Sequence, residues 1–409
     1  MQIRSPTESS TNETFVAPWS TFATLFLRIG VLGFGGPQAH IALLRSEIVD
    51  ERQWVNSEQF DEGIGLCEAL PGPASSQMAI YLGWLHRGWL GGIVSGVCFL
   101  LPGLLIVLVL SELWRNGQSM LGFTTALQTI QPVIAAIIWA FAWKLVRQRS
   151  ARWQLITAAL VMLGMLLNTY AGLPVPAGML LLLAGLSRLI CSPTAGVGRS
   201  TGVGLLLPLP IATLSGAGGI GATGAGLMAS LFSVFFKTGL LVFGGGLVII
   251  PLLERQVVEL GWLSSSAFLD GVAIGQISPG PVVLTSSFVG YQAGWQAGGV
   301  GNALLGSIVA TAGIFLPSFL FILVGTAMLQ KLKQQAKVKL FLEGLLAGVP
   351  GAVAGAAVPL SLKAFSGGTP LIQLTLFSLA TWFSIKQRMK PLALIGIALL
   401  IGLLMVLVG

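Results

Sequence analysis

A pair of interrupted apolar segments occurs twice in this chain, and the repetition limits its fold more than any other feature. FLRIGVLGFGGP (Phe26 to Pro37) precedes LCEALPGPASS (Leu66 to Ser76), and FFKTGLLVFGGG (Phe235 to Gly246) precedes IGQISPGPVVL (Ile274 to Leu284). Gly35 matches Gly244 and Pro71 matches Pro279, offsets of 209 and 208 residues. Glycine and proline clusters that break apolar stretches at corresponding places in two halves point to a transporter-type binding site built from discontinuous helices.

The surroundings of those breaks are those of a membrane protein. Hydrophobic residues make up 54% of the chain and charged residues 9%, against roughly 25% charged in a soluble domain. Mean hydropathy is +0.87, and the 54 glycines suit close helix packing in lipid. The net charge of +8 would suit a nucleic-acid partner. Most of the basic residues, however, sit in short loops between apolar runs, where they set orientation, so no nucleic acid is expected. The first 18 residues are polar and lack the basic start and cleavage site of a signal peptide. Cys67, Cys98 and Cys191 have no metal-ligand spacing and read as small packing residues. Neither a metal nor another cofactor is expected, and no GxxxxGK[ST] motif marks an ATP site.

Six apolar segments fill the first half, about 19–44, 60–86, 89–113, 121–146, 153–169 and 174–190. Six fill the second, about 227–253, 266–292, 298–329, 340–362, 370–385 and 391–408. A spanning helix needs about 20 residues. The expected organisation is a polar tail (1–18), a first repeat (19–191), a Gly-rich linker (192–226) and a second, inverted repeat (227–409).

Loop charges carry the inversion. Between segments four and five the first half has Lys144, Arg147, Arg149 and Arg152, and the second has Lys363. Between segments three and four the first half has Arg115, and the second has Lys331, Lys333, Lys337 and Lys339. Between segments five and six the first half has none, against Lys386, Arg388 and Lys390. Short basic loops stay cytoplasmic, which places Arg149 and Lys333 on the same side and turns one half upside down relative to the other. An inverted pair needs an odd number of crossings per half. The expected fold is therefore an all-α polytopic membrane protein with two inverted-topology repeats and broken or re-entrant helices, about ten full spans plus two hairpins. The GFGG segment is favoured as the hairpin over the PGP segment; a linker crossing, giving thirteen spans, is the alternative.

Arg28 lies nine residues after Trp19, about 14 Å along a helix. A charge that deep costs roughly 2.5–3.5 kcal/mol on insertion scales. Lys237 repeats it in the second half. The pair suggests an anion site, with structural pairing to a carboxylate as the other reading. Gly33, Gly35 and Gly36, with Gly244 and Gly245, would expose backbone N–H groups, and half-helix N-termini attract anions. A tight helix crossing would explain a single such pair. Pro71, Gly72 and Pro73, and Pro279, Gly280 and Pro281, end one half-helix and start another. Ser75 and Ser76 follow the first, and Thr285, Ser286 and Ser287 the second. These hydroxyls could hold a tetrahedral oxyanion, or simply bond back to their own helices. Glu68, three residues before Pro71, faces Gln276 in the second copy; it is a candidate proton-coupling residue or the counter-ion of Arg28. Helix-dipole stabilisation accounts for Asp61, Glu62 and Asp270, and His40 and His86 read as structural.

GFGGPQAHIALL, the EALPGP that follows, and their weaker second copies resemble the chromate ion transporter family in its long, two-repeat form, from about Thr21 to Gly409. GFGGP followed about 35 residues later by PGP is the specific element. The resemblance implies export of chromate across the bacterial inner membrane, driven by the electrochemical gradient and conferring chromate resistance. It carries over Gly33 to Pro37 and Pro71 to Pro73; Gly246 stands where the first copy has Pro37. The implied partners are chromate or a similar tetrahedral dianion and the lipid bilayer, and a homodimer is compatible with both. The rival readings are a sulfate or molybdate importer, a passive anion channel and an intramembrane enzyme. Two histidines and few buried carboxylates argue against the enzyme.

Overall fold

The computed structural model describes residues 17–34, 37–117, 121–171, 177–191, 224–242, 246–324, 335–365 and 370–408. The tail up to residue 16 and the linker from 192 to 223 lie outside them. The described residues form fourteen α-helices and no strand. In the first half these are α1 (Trp19–Leu32), α2 (Pro37–Arg45) running into a π-helix (Ser46–Glu51), α3 (Ser57–Ala69), α4 (Ala74–Gly117), α5 (Leu121–Arg147), α6 (Arg152–Ala171) and α7 (Ala177–Cys191). In the second they are α8 (Ala225–Gly239), α9 (Ile249–Glu259), α10 (Ser265–Ile277), α11 (Thr285–Leu323), α12 (Ala336–Ala364), α13 (Pro370–Ile385) and α14 (Pro391–Val408). Short 3-10 turns, Gly246–Val248 and Val282–Leu284, precede α9 and α11.

Local signals set the ends of the elements that matter most. Asn56 caps α3 in a capping box with Gln59, and Ser264 caps α10 by accepting from the Ala267 N–H at 3.2 Å. Leu70 and Ser278 close α3 and α10 in extended conformation, as residues before proline must. Both α4 and α11 are folded within their length. α4 leaves helical geometry at Arg87–Gly88 and α11 at Gly298–Gly299, where Gly88 and Gly299 take φ of +64° and +78°. Each thus has a short arm and a long arm, meeting at the boundaries read from the sequence between segments 60–86 and 89–113 and between 266–292 and 298–329.

The short arms turn back along the helices before them. A Cβ on Gly63 of α3 would lie 2.5 Å from the Tyr81 ring and 3.1 Å from Met78 of α4, and Gly271 and Gly275 of α10 abut Phe288 and Thr285 of α11. Both PGP segments are therefore hairpins. The GFGG segment of the first half also folds back: Phe22 of α1 stacks on Trp54 at 5.9 Å, and Arg28 meets Glu47 at 3.5 Å. The first half thus holds two folded-back segments where the sequence reading placed one, because the reversal at Gly88 needs no loop and lets the PGP hairpin begin and end at one side.

The two halves enter from opposite ends. The short arm of α4 ends at His86, stacked on Trp54 at 4.4 Å. The short arm of α11 ends at the far tip of the long arm of α4. There Tyr291 donates to Glu112 at 2.5 Å, Gln292 donates to the Ser111 carbonyl at 3.0 Å, and Arg115 lies 3.6 Å over the Trp295 ring. That long arm, Trp89 to Gly117, spans about 43 Å at 1.5 Å per residue. The outer helices are exchanged between halves: α12 packs on α6 and α7, and α5 packs on α13 and α14. Gly351 of α12 sits directly on the Ala158 carbonyl of α6, the small-residue approach typical of helices in lipid.

Among the described residues, five helices are long and apolar enough to cross a membrane, Ala74–Gly117, Gln128–Arg147, Arg152–Ala171, Val282–Leu323 and Ala336–Ala364, and five more are apolar but shorter. Val97, Leu101, Leu105, Val109 and Leu113 form an exposed stripe along α4, which lipid would cover. This is an all-α polytopic membrane protein. Glu58 and Ser266 occupy equivalent exposed places near the outer ends of the two PGP hairpins. In a background without the three native cysteines, Glu58→Cys should react only with membrane-permeant thiol reagents, and Ser266→Cys with impermeant ones added outside. Labelling of both from one side would overturn the inverted arrangement.

Candidate functional site

The four breaks meet in the middle of the molecule, each half completing the other. Gly72 and Gly280, at the tips of the PGP turns, have φ of +124° and +91°, a backbone region that favours glycine. The Gly72 N–H donates to the carbonyl of Val242 at 2.6 Å, in the second half's glycine break. The Gly280 N–H donates to the carbonyl of Gly33 at 2.8 Å, in the first half's break. The long arms take part: Gly103 of α4 lies against the Pro279 carbonyl, and Ser318 of α11 lies against Gly72.

Gly33 is also held from its own half, by a 2.8 Å bond from Nε2 of buried His40. Gln77 bridges the first turn by donating to Pro71 at 2.5 Å. Several hydroxyls bond back to local carbonyls, Ser76 to Pro73 and Thr285 to Val282, each at 2.9 Å. Ser287 pairs with Ser307 at 2.6 Å. Other buried polar atoms have no partner among the described residues: Ser75 Oγ, Ser286 Oγ, Ser318 Oγ, Gln77 Oε1 and His40 Nδ1. Buried polar atoms are normally satisfied, so a cluster left open beside two half-helix starts is a place for a polar ligand or water. Hydroxyls and helix N-terminal N–H groups can donate to an anion; nothing in this set is a nucleophile paired with a base.

The predicted site residues fall into three groups. Gly33, Pro71, Gly72, Pro73, Ser75, Ser76, Pro279, Gly280, Pro281 and Thr285 gather at this centre. Arg28 does not point there: it pairs with Glu47, its side chain is 57% exposed, and it lines a separate cavity of about 350 Å³. Lys237 is half-buried in the last turn of α8. Gly35, Gly36, Gly244 and Gly245 lie outside the described residues, as does the side chain of Glu68, whose backbone belongs to the last turn of α3.

Sequence reasoning missed Ser318. Its signal was present, since Pro317-Ser318 and Pro102-Gly103 take equivalent places on the long arms of α11 and α4. It also undervalued Asp270, which is buried and accepts from Trp114 Nε1 and Gln131 Nε2, each at 3.0 Å. Among the described residues, no group of three or more His, Cys, Asp or Glu side chains could hold a metal.

A family model of the chromate transporter matches residues 20–189 and 229–403. The chain belongs to the chromate transporter family. It is 31% identical over 401 residues to a chromate transport protein of Cupriavidus metallidurans, covering 97% of this chain and 96% of that one. A probable chromate transport protein of Synechococcus elongatus is 30% identical over 385 residues, 93% of each chain. An uncharacterized transporter of Methanocaldococcus jannaschii is 25% identical over 397 residues, 93% of this chain and 92% of that one. No solved structure matches the chain. Chromate transporters are a family of membrane transporters, not an enzyme family. Both matched stretches contain an FGG break and a PGP turn.

Proposed function

We propose that this protein is a secondary active transporter that exports chromate across the bacterial inner membrane and so confers chromate resistance. Its working units are the two repeats, 19–191 and 227–409. The observation that carries the reading is the reciprocal pair of bonds, Gly72 to Val242 and Gly280 to Gly33, beside the unpartnered hydroxyls of Ser75, Ser286 and Ser318. Each PGP turn is tied to the opposite half as well as to its own, so a movement of one repeat against the other must remake both contacts together. Alternating access about one shared site requires that coupling. The hydroxyls and half-helix N–H groups suit a tetrahedral dianion, and Glu68, at the end of α3, is the proton-carrying carboxylate in this scheme.

Export is supported by where charge lies. Basic loops put the mouth of the first repeat on the cytoplasmic side, and that mouth holds the cavity lined by Arg28 and Arg52. Inside-out vesicles containing the protein should accumulate chromate when a proton gradient is imposed, lose that accumulation when it is collapsed, and take up sulfate more slowly. Flux that survives collapse of every gradient and follows voltage alone would replace this reading with a passive anion channel.

A further inference from the structure

The cavity of about 350 Å³ at the mouth of the first repeat is lined by Ser20, Thr21, Thr24, Leu25, Arg28 and Arg52. Its volume falls at the small end of ligand pockets, roughly 300–1,000 Å³. Ser20, Thr24 and Arg28 follow at intervals of four on α1 and so form one stripe of donors. Arg52 closes the other wall from just beyond the π-helix. Two guanidiniums and three hydroxyls offer donors to an oxyanion in an open cleft whose remaining exposed surface, from Leu25 and the side-chain stems, is mostly apolar.

That lining already faces an anion. The side chain of Glu47 is only 5% exposed; Arg52 bonds its Oε2 at 2.5 Å, and Arg28 lies 3.5 Å from its Oε1. Arg52 also donates to the Glu47 backbone carbonyl at 3.2 Å. One buried carboxylate thus occupies both guanidiniums that line the cavity, and the π-helix that presents it is a geometry frequent at functional sites. Of the other charged or titratable groups nearby, exposed Glu51 makes a second, longer ion pair with Arg52 at 3.7 Å and so remains a weaker, solvated competitor. The rest belong elsewhere: Arg45 pairs with Asp61, His86 is stacked against Trp54, and Arg87 bonds the Ala17 carbonyl beside Trp19.

The second repeat lacks this arrangement. At the offset of 209 that relates the glycine breaks, Glu47 becomes Gln256 and Arg52 becomes Gly261, while Arg28 becomes Lys237. The feature therefore belongs to one mouth, not to the fold in general.

The geometry points to a cytoplasmic capture site for a tetrahedral oxyanion, in which Glu47 is a tethered counter-anion that the substrate must displace from Arg28 and Arg52. The inference rests on the oxyanion-transport reading and adds a site to it, well before the central turns: Arg28 lies five residues ahead of Gly33, about 7.5 Å along the helix. Displacement replaces a monoanion with a dianion, so the exchange is electrostatically favourable at two guanidiniums. The released carboxylate turns towards water instead of remaining as a buried unpaired charge. A carboxylate of this kind keeps the arginines ordered when the site is empty and rejects weakly charged anions that cannot compete with it.

The test is equilibrium binding of chromate, and separately of sulfate, to the purified full-length protein at low salt. Glu47→Gln removes the competitor and keeps the shape, so affinity should rise by roughly tenfold, about 1.4 kcal/mol. Glu47→Asp keeps the charge and should stay within a few-fold of the parent. Arg52→Gln should weaken binding at least about tenfold, and added chromate should raise the unfolding temperature of Glu47→Gln more than that of Arg52→Gln. That thermal comparison still decides the matter if one variant is poorly folded. Parental affinity in both Glu47→Gln and Arg52→Gln, with chromate flux intact in the parent, would remove the capture site and leave the transport reading standing. A parent that neither binds nor moves any oxyanion would remove both.

Discussion

Gly72→Ala is expected to abolish chromate flux and to lower the unfolding temperature. Gly72 has a φ of +124°, and holding alanine in such a region costs of order 1–3 kcal/mol. The new methyl group would also collide with Ser318 Oγ and lie 2.5 Å from Gln77 Nε2, two side chains that are themselves buried. Either the turn moves, breaking the 2.6 Å bond to Val242, or the long arm of α11 moves. Both outcomes disturb the contact through which one repeat holds the other. A flux loss of at least about tenfold follows if even 1.4 kcal/mol falls on the transport cycle. Gly88→Ala separates backbone strain from collision, because Gly88 has a φ of +64° but no atom within 4 Å of its Cβ position. Gly280→Ala should fall between them, with a φ of +91° and only Leu284 Cδ1 nearby at 3.3 Å. Flux and melting should be measured in all three. Equal losses in Gly72→Ala and Gly88→Ala would mean that the central packing carries no special role.

The order Gly72, Gly280, Gly88 could not have been read from the sequence, although the importance of the PGP turns could. What was legible was everything governed by local chemistry. Proline and glycine placed the turns, the apolar runs placed the helices, and the positions of Arg149 and the later lysines gave opposite orientations to the halves. The folds within α4 and α11 fall close to the segment divisions legible in the sequence, because polar residues together with glycine, His86-Arg87-Gly88 and Gln292 to Asn302, interrupt the apolar runs there. What was not legible depended on contacts between distant segments. Each PGP turn docks on the glycine break of the opposite repeat, and no local pattern distinguishes that from docking on its own. On a straight span, the distance of Arg28 from Trp19 fits a midplane position and makes it a deep cation aimed at the centre. The chain instead folds back after Gly33 and brings Glu47 alongside α1, so Arg28 gains a carboxylate partner at the mouth of the repeat. The alternative of structural pairing was sound in kind, but the partner lies 19 residues on in a π-helix whose presence nothing in the sequence announced.

Asp270→Ala should produce the largest loss of stability of any single carboxylate replacement in the protein. Asp270 lies on α10, in the hairpin that carries the second PGP turn, and is only 6% exposed. Its two oxygens accept from Trp114 on α4 and Gln131 on α5, each at 3.0 Å, so the carboxylate ties the second repeat to two helices of the first. Helix-dipole stabilisation, the sequence-level explanation, would make the residue replaceable; these partners make it a junction. Removing the carboxylate leaves an indole N–H and an amide N–H buried without acceptors, at about 1–3 kcal/mol for each donor. Asp270→Asn should cost less, since one oxygen remains, but it turns an amide N–H towards an existing donor and cannot satisfy both partners. The pattern in a double-mutant cycle distinguishes a shared network from two unrelated effects. Once Asp270 is alanine, Gln131→Ala should cost much less than it does in the parent, because the unpaired amide leaves with it. The check is thermal unfolding of the purified single and double variants at one detergent concentration. Additive losses, or an Asp270→Ala protein that melts like the parent, would show that this junction does not hold the two repeats together.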